Sequence, residues 1–108
     1  MGKRAIQVKI FLDNSRDIPS NWGCCVVRDY RQCVTLLSVC SDVEYLSLDY
    51  ALGEEHTGLD VLAFMRENGI CPHHINIHSC HWRGAPKMVE YAKKNFSGSI
   101  ITEDKIGR

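Results

Sequence analysis
Short apolar runs and amphipathic stretches take turns along this chain, and few folds accommodate that alternation. Ile6, Val8, Ile10 and Leu12 alternate with Gln7, Lys9 and Phe11, a period of two that predicts a strand over Ala5 to Leu12. Cys24 to Val27 is a short apolar run consistent with a second, buried strand. Asp29 with Gln32 three residues on predicts a capping box, followed by a helix whose apolar face is Cys33, Leu36, Leu37 and Cys40. Val43 to Leu48 reads as a third strand. A second helix starts at Thr57 or Gly58, carries Leu59, Leu62, Phe64 and Met65, and stops at Asn68 and Gly69. His74 to Ile77 is the fourth strand. Gly84 and Pro86 open a third helix with Met88, Val89, Ala92 and Phe96 on its apolar side and Lys93 and Lys94 near its negative end. Ser99 to Thr102 is a fifth strand, and Glu103 to Arg108 is expected to be a loose tail.

Strands and helices in this order specify an α/β fold, a parallel sheet covered by helices on both faces in three layers. No Gly/Ser-rich or Pro-rich stretch divides the 108 residues, so one domain with one modest core over residues 5–102 is expected. The link from the first strand to the second is a loop of about ten residues, near the lower limit for a parallel crossover.

In a parallel sheet the carboxyl ends of the strands form the crevice where ligands bind. Asp13 ends the first strand, Asp49 the third, and His78 and Ser79 the fourth, so neighbouring strands would bring these four residues to one pocket. Two carboxylates there suit Mg²⁺ or Mn²⁺, which take a few carboxylate oxygens and keep several waters. Asp is also common simply as a turn or cap residue. His78 has an ordinary pKa near neutrality and is either an acid/base or a hydrogen-bonded core histidine. Ser79 can donate to a phosphoryl oxygen and Arg16 can fork onto one, while Thr57 and Gly58 stand at a helix N-terminus that favours anions. Trp22 and Trp82 flank two of the loops, where an indole can stack on a nucleobase or pack on the sheet.

Thirteen basic and thirteen acidic residues leave no net charge, which fits a small ligand better than a nucleic-acid duplex or an anionic membrane. The opening MGKRAIQVKIFLD has an apolar run that alternates and is too short for a signal or a membrane span, so a cytoplasmic protein is expected. Of the six cysteines, Cys24 and Cys25 fall in a strand and Cys33 and Cys40 on a helix face, the placement of buried free thiols rather than of a disulfide framework. The run CPHHINIHSCH, Cys71 to His81, argues weakly for zinc. Cys71 and Cys80 bracket a strand rising about 3.3 Å per residue and so cannot share one ion. His78, Cys80 and His81 could reach one metal but have no second cysteine or histidine motif to complete the set.

The motifs LDNSRDIP at 12–19, SLDYALG at 47–53, Thr57 with Gly58, and HSCHWRG at 78–84 resemble the cyclic-phosphate-processing receiver-like domain family, a relative of response-regulator receivers. That resemblance implies a five-stranded flavodoxin-like sheet, strand order 2-1-3-4-5, shortened and lacking some receiver helices. It also implies processing of a cyclic phosphate on a nucleotide-derived metabolite or RNA end. Asp13, Arg16, Asp49, Gly53, Thr57, Gly58, His78, Ser79 and Gly84 match the family motifs. Asn14, Tyr50, Ala51 and His81 depart from them.

One reading is a metal-assisted phosphoesterase with Asp13 and Asp49 on the metal, His78 as acid/base, and Ser79 and Arg16 on the phosphoryl group, with His81, though it departs from the family motif, among the candidate phosphate-binding residues. The alternative is a non-catalytic pseudo-receiver that binds a nucleotide or a protein partner in the same crevice. An aspartyl-phosphate switch at Asp49 is not expected. The fifth strand ends in Thr102 where receivers carry lysine, and Lys105 comes three residues later.

Overall fold
The computed structural model describes residues 7–40 and 42–104. Its elements follow the expected order: β1 (Gln7–Leu12), a 3-10 turn (Ser20–Trp22), β2 (Cys24–Val27), α1 (Tyr30–Val39), β3 (Asp42–Leu48), α2 (Gly58–Asn68), β4 (His74–Ile77), α3 (Gly84–Asn95) and β5 (Ile100–Glu103). The five strands form one parallel sheet in the order β2-β1-β3-β4-β5. This is the expected receiver-like arrangement, and the chain crosses from β1 to β2 with the 3-10 turn as its only regular connection.

The number of layers differs from expectation. From β2 to β3, β3 to β4 and β4 to β5 the chain advances in one direction across the sheet, and right-handed crossovers put all three intervening helices on the same face. One apolar core accordingly joins Cys33 and Leu37 of α1, Val61, Leu62 and Met65 of α2, and Met88, Ala92 and Phe96 of α3. They close over Ile10, Leu12, Leu46, Leu48, Ile75 and Ile77 of the sheet. Only the step from β1 to β2 runs the other way, and it contains no α-helix. Among the described residues, no helix covers the second face. That face carries Lys9 and Phe11 of β1, Tyr45 and Ser47 of β3, His74 and Asn76 of β4, and Thr102 of β5.

Local signals acted largely as read. Asp29 caps α1 by accepting the Gln32 N–H at 2.8 Å, but the reciprocal half of the box shifts, because Gln32 Oε1 accepts from Arg28 N at 2.7 Å. The fully reciprocal capping box is at α2, between Thr57 and Asp60. Gly69 ends α2 in the left-handed conformation, as a C-terminal glycine should. β2 is an edge strand, so of its four residues only Val27 is buried and Cys25 is exposed, contrary to the expected buried strand. All six cysteines are free thiols. The expected loose tail begins later than Glu103, since Glu103 closes β5 and the Asp104 N–H bonds Ile77 O at 2.8 Å. Residues 105–108, including Lys105, lie outside the described residues. Among those described, no helix is long and apolar enough to cross a membrane.

Candidate functional site
Register explains the convergence at the strand ends. Leu12 pairs with Leu48 and Leu48 with Ile77, so the next residue of each strand, Asp13, Asp49 and His78, stands in one row. The ladder continues through them: Asp49 N donates to Leu12 O at 3.1 Å and His78 N to Leu48 O at 2.9 Å. Their backbones are therefore fixed by the sheet, and only the side chains enter the crevice. Asp13, Arg16, Asp49, His78, Ser79 and His81 all line a cavity of about 420 Å³, a size suited to a small ligand.

Asp13 is 1% exposed, and its oxygens are divided between two tasks. Oδ1 accepts the backbone N–H groups of Ser15 at 2.9 Å and Arg16 at 2.8 Å, while Oδ2 lies 3.1 Å from His78 Nε2. Burial alone would raise its pKa, but those two N–H groups, with His78, outweigh burial and hold the carboxyl below its ordinary value. Asp13 is a fixed anion.

Asp49 is half-buried and shifts the other way. Burial raises its pKa and the negative charge of Asp13 raises it further, against the hydrogen bonds of Ser79 and of Tyr50 N. Two carboxylates that repel each other across a shared cavity are the donor set a hard divalent cation relieves. One ligand atom each from Asp13, Asp49 and His78 all lie within 4.8 Å of one another. The residues present therefore fit an Mg²⁺ or Mn²⁺ ion. Cys80 is exposed and stands outside this group, and Cys71 precedes the opposite end of β4, as the zinc argument required.

His78 is enclosed on every side. Nδ1 lies 2.6 Å from Ser47 Oγ, Nε2 faces Asp13, and the ring stacks on Phe11 at 4.3 Å and 7°. Burial pushes its pKa down, against the pull of Asp49 and Asp13, so the ring is neutral. With both nitrogens engaged it has no position from which to protonate a ligand. His81 differs. It is exposed at the rim, its ring tilts against Tyr50 at 4.6 Å, and Nδ1 accepts the Gly84 N–H at 2.8 Å. Its proton therefore sits on Nε2, which makes no hydrogen bond among the described residues.

Three other expectations change. The N–H of Gly58 goes to Tyr50 O at 2.9 Å and that of Thr57 to Asp60 Oδ2 at 2.8 Å, so the start of α2 offers no free amide at either residue to an anion. Gly58 is required by packing instead, since a Cβ there would lie 2.1 Å from Asp49 O. Trp22 lies on the sheet face without helices, beside Lys9, Cys24 and Tyr45, because the loop carries it back to the start of β2. Trp82 is 75% exposed, with Arg83 over its ring at 4.5 Å, and does not line the crevice. Arg16 does reach the crevice, its Nε 3.8 Å from Asp13 Oδ2.

The strand pattern did not bring forward Ser47 and Asn76. Both are buried polar residues in otherwise apolar central strands. Their signal is the polar side chain at alternate positions of VEYLSLD and HINIH, where a sheet face would otherwise be apolar.

A family model described as the Cyclic-phosphate processing Receiver domain matches residues 8–94, which spans every strand end of the crevice. Comparison with curated proteins and with solved structures found no match. With four-fifths of its length matched by that model, the chain belongs to the cyclic-phosphate processing receiver domain family.

Proposed function
We propose that the crevice binds a divalent cation between Asp13 and Asp49 and opens a cyclic phosphate ester by hydrolysis. The observation that carries this reading is the pair of unequal carboxylates, one held ionised by backbone N–H groups and one pushed up by its neighbour. A bound cation there would neutralise a non-bridging phosphoryl oxygen and polarise a water.

The chain's own groups do the rest. Arg16 reaches the phosphoryl group from the rim, and the Ser79 hydroxyl, whose one proton goes to Asp49, holds that carboxylate in place. Water adds to phosphorus and gives up one proton to solvent, the ring P–O bond breaks, and the leaving oxygen, held by a hydrogen bond from His81 Nε2–H, takes its proton from solvent. The product is a phosphomonoester still joined to the same alcohol. His81 thus takes the place of His78 at the leaving oxygen, as a hydrogen-bond donor, and His78 holds Asp13. With neither tryptophan lining the crevice, the substrate class is defined by its phosphate rather than by a stacked base. A nucleotide-like cyclic phosphate is the natural candidate for this family.

Phosphorus NMR of purified protein with Mg²⁺ or Mn²⁺ and a panel of nucleoside 2′,3′- and 3′,5′-cyclic phosphates tests the reading. Conversion of one class to a monoester, stopped by chelator, supports it. Binding without conversion would favour the pseudo-receiver, a reading that the enclosed nitrogens of His78 also favour.

A further inference from the structure
The sheet face without helices carries an unbroken row of polar contacts that ends at Asp13, and the chemistry of its members fixes the direction of every proton. The row begins at His74, whose Nε2 lies 2.7 Å from Thr102 Oγ1. It passes from Thr102 to Asn76 Oδ1, from Asn76 Nδ2 to Ser47 Oγ at 3.1 Å, from Ser47 to His78 Nδ1 at 2.6 Å, and from His78 Nε2 to Asp13 Oδ2 at 3.1 Å.

Asn76 is the member whose orientation decides the rest. Its Nδ2 also faces Asp104 Oδ2 at 3.1 Å, and an ionised carboxylate only accepts, so the NH₂ end of the amide must point that way. The other NH₂ proton then goes to Ser47 Oγ. Accepting from Asn76 leaves a hydroxyl free to give or take a second bond, but Asp13 Oδ2 only accepts from Nε2, so the one proton of Ser47 goes to His78 Nδ1. Nδ1 is thereby bare, and the imidazole proton is on Nε2, aimed at Asp13. At the far end the same logic has Thr102 donating to Asn76 Oδ1 and accepting from His74 Nε2–H.

We propose that Ser47 and Asn76 are positioning residues for the crevice, fixing His78 as its Nε2–H tautomer so that Asp13 is held with the remaining lone pairs of its carboxylate presented to a cation. This rests on the reading of Asp13 and Asp49 as a metal site. Each part of the geometry has a cause. The stack on Phe11 sets the plane of the imidazole, Ser47 sets which nitrogen carries the proton, and the backbone N–H groups of Ser15 and Arg16 hold the other carboxylate oxygen. Partners behind a metal ligand that fix its orientation typically change metal affinity by about 10–100-fold when removed.

The test begins on wild-type protein without any metal. Long-range proton–nitrogen NMR of ¹⁵N-labelled protein is expected to show His78 with a bare, pyridine-type Nδ1 and a protonated Nε2. A protonated Nδ1 overturns the proposal, and this readout needs no variant to fold. Ser47→Ala is expected to give His78 shifts averaged between the two neutral tautomers and to weaken Mn²⁺ binding by about tenfold or more. Ser47→Thr, which keeps the hydroxyl, is expected to restore both. An Mn²⁺ affinity unchanged in Ser47→Ala while the tautomer is lost overturns the positioning role. If wild-type protein has the stated tautomer yet binds no Mn²⁺, the metal reading of the crevice fails and the role given to Ser47 falls with it. A wrong tautomer with Mn²⁺ still bound sinks only the hydrogen-bond row, so the two failures are distinguishable.

Discussion
The imidazole of His78 lies 3.1 Å from the carboxylate of Asp13, and both side chains are almost wholly shut off from water. This contact joins the core of the sheet to the crevice, so the pH dependence of stability reports on it. Burial depresses the His78 pKa below its ordinary 6.5, so the unfolded chain takes up a proton near that value while the folded chain does not. His78 therefore contributes stability that is present above pH 6.5 and lost as pH falls below it. Asp13, depressed below 3.8, contributes stability that is present above 3.8 and lost as pH falls from there through its folded value. Asp49 has the opposite sign, because its raised pKa means that protonation on acidification relieves repulsion. We expect the urea midpoint to fall between about pH 7.5 and about pH 5.5, more steeply in Asp49→Asn, and to lose the His78 contribution to that slope in His78→Asn. A slope unchanged in His78→Asn contradicts the assignment.

Asp49→Asn separates folding from function at one position. In the absence of metal near pH 7 the substitution removes a half-buried charge that Asp13 opposes, so the melting temperature is expected to rise. The same variant is expected to lose any response to Mn²⁺. A drop in stability without metal would mean that the carboxylate of Asp49 is satisfied within the protein and not held in readiness for a cation.

Gly58 tests how closely α2 is seated against the crevice. A methyl group there would meet the Asp49 carbonyl at 2.1 Å and the Met88 methyl at 2.6 Å, and backbone cannot yield as a side-chain end can. Gly58→Ala is expected to cost about 3 kcal/mol, lowering the melting temperature by roughly 12–20 °C for a domain of this size. Thr57→Ala removes only the side-chain half of a helix cap and should cost about 1 kcal/mol. Equal effects at the two positions, read by thermal denaturation, would argue against the close approach.

His81 and His78 have different parts in the proposed reaction, and kinetics distinguish them. His81→Ala is expected to lower kcat by about 100-fold or more while leaving the Mn²⁺-induced rise in melting temperature intact. An unchanged kcat would mean that His81 does not bind the leaving oxygen. His78→Asn is expected to weaken Mn²⁺ binding itself, because it disturbs Asp13.

Much of this site was legible in the sequence because it is made by register. Asp13, Asp49 and His78 each follow an apolar strand directly, and a parallel sheet leaves their strand ends nowhere to go but one edge. The layer count was not legible from strand and helix alternation alone. It depends on the direction of each crossover, and only the loop from Asp13 to Gly23 signals, by its lack of an α-helix, that one face carries no helix among the described residues. The division of labour between the histidines was equally hidden. Both follow β4, but His78 continues the ladder into the core and His81 lies past the strand in a turn that Gly84 closes. The apparent anion site at Thr57 and Gly58 failed because the chain uses those N–H groups itself, a competition that spacing does not reveal.

The most direct measurement is the melting temperature of wild-type protein and Asp49→Asn with Mn²⁺, with and without a panel of cyclic and linear nucleotide phosphates. Anything that binds the native state alone must raise it by mass action. The account predicts a rise with Mn²⁺ in wild type, a further rise with a cyclic phosphate but not its linear counterpart, and neither rise in Asp49→Asn. A wild-type protein indifferent to Mn²⁺, or a variant that responds equally, would contradict it.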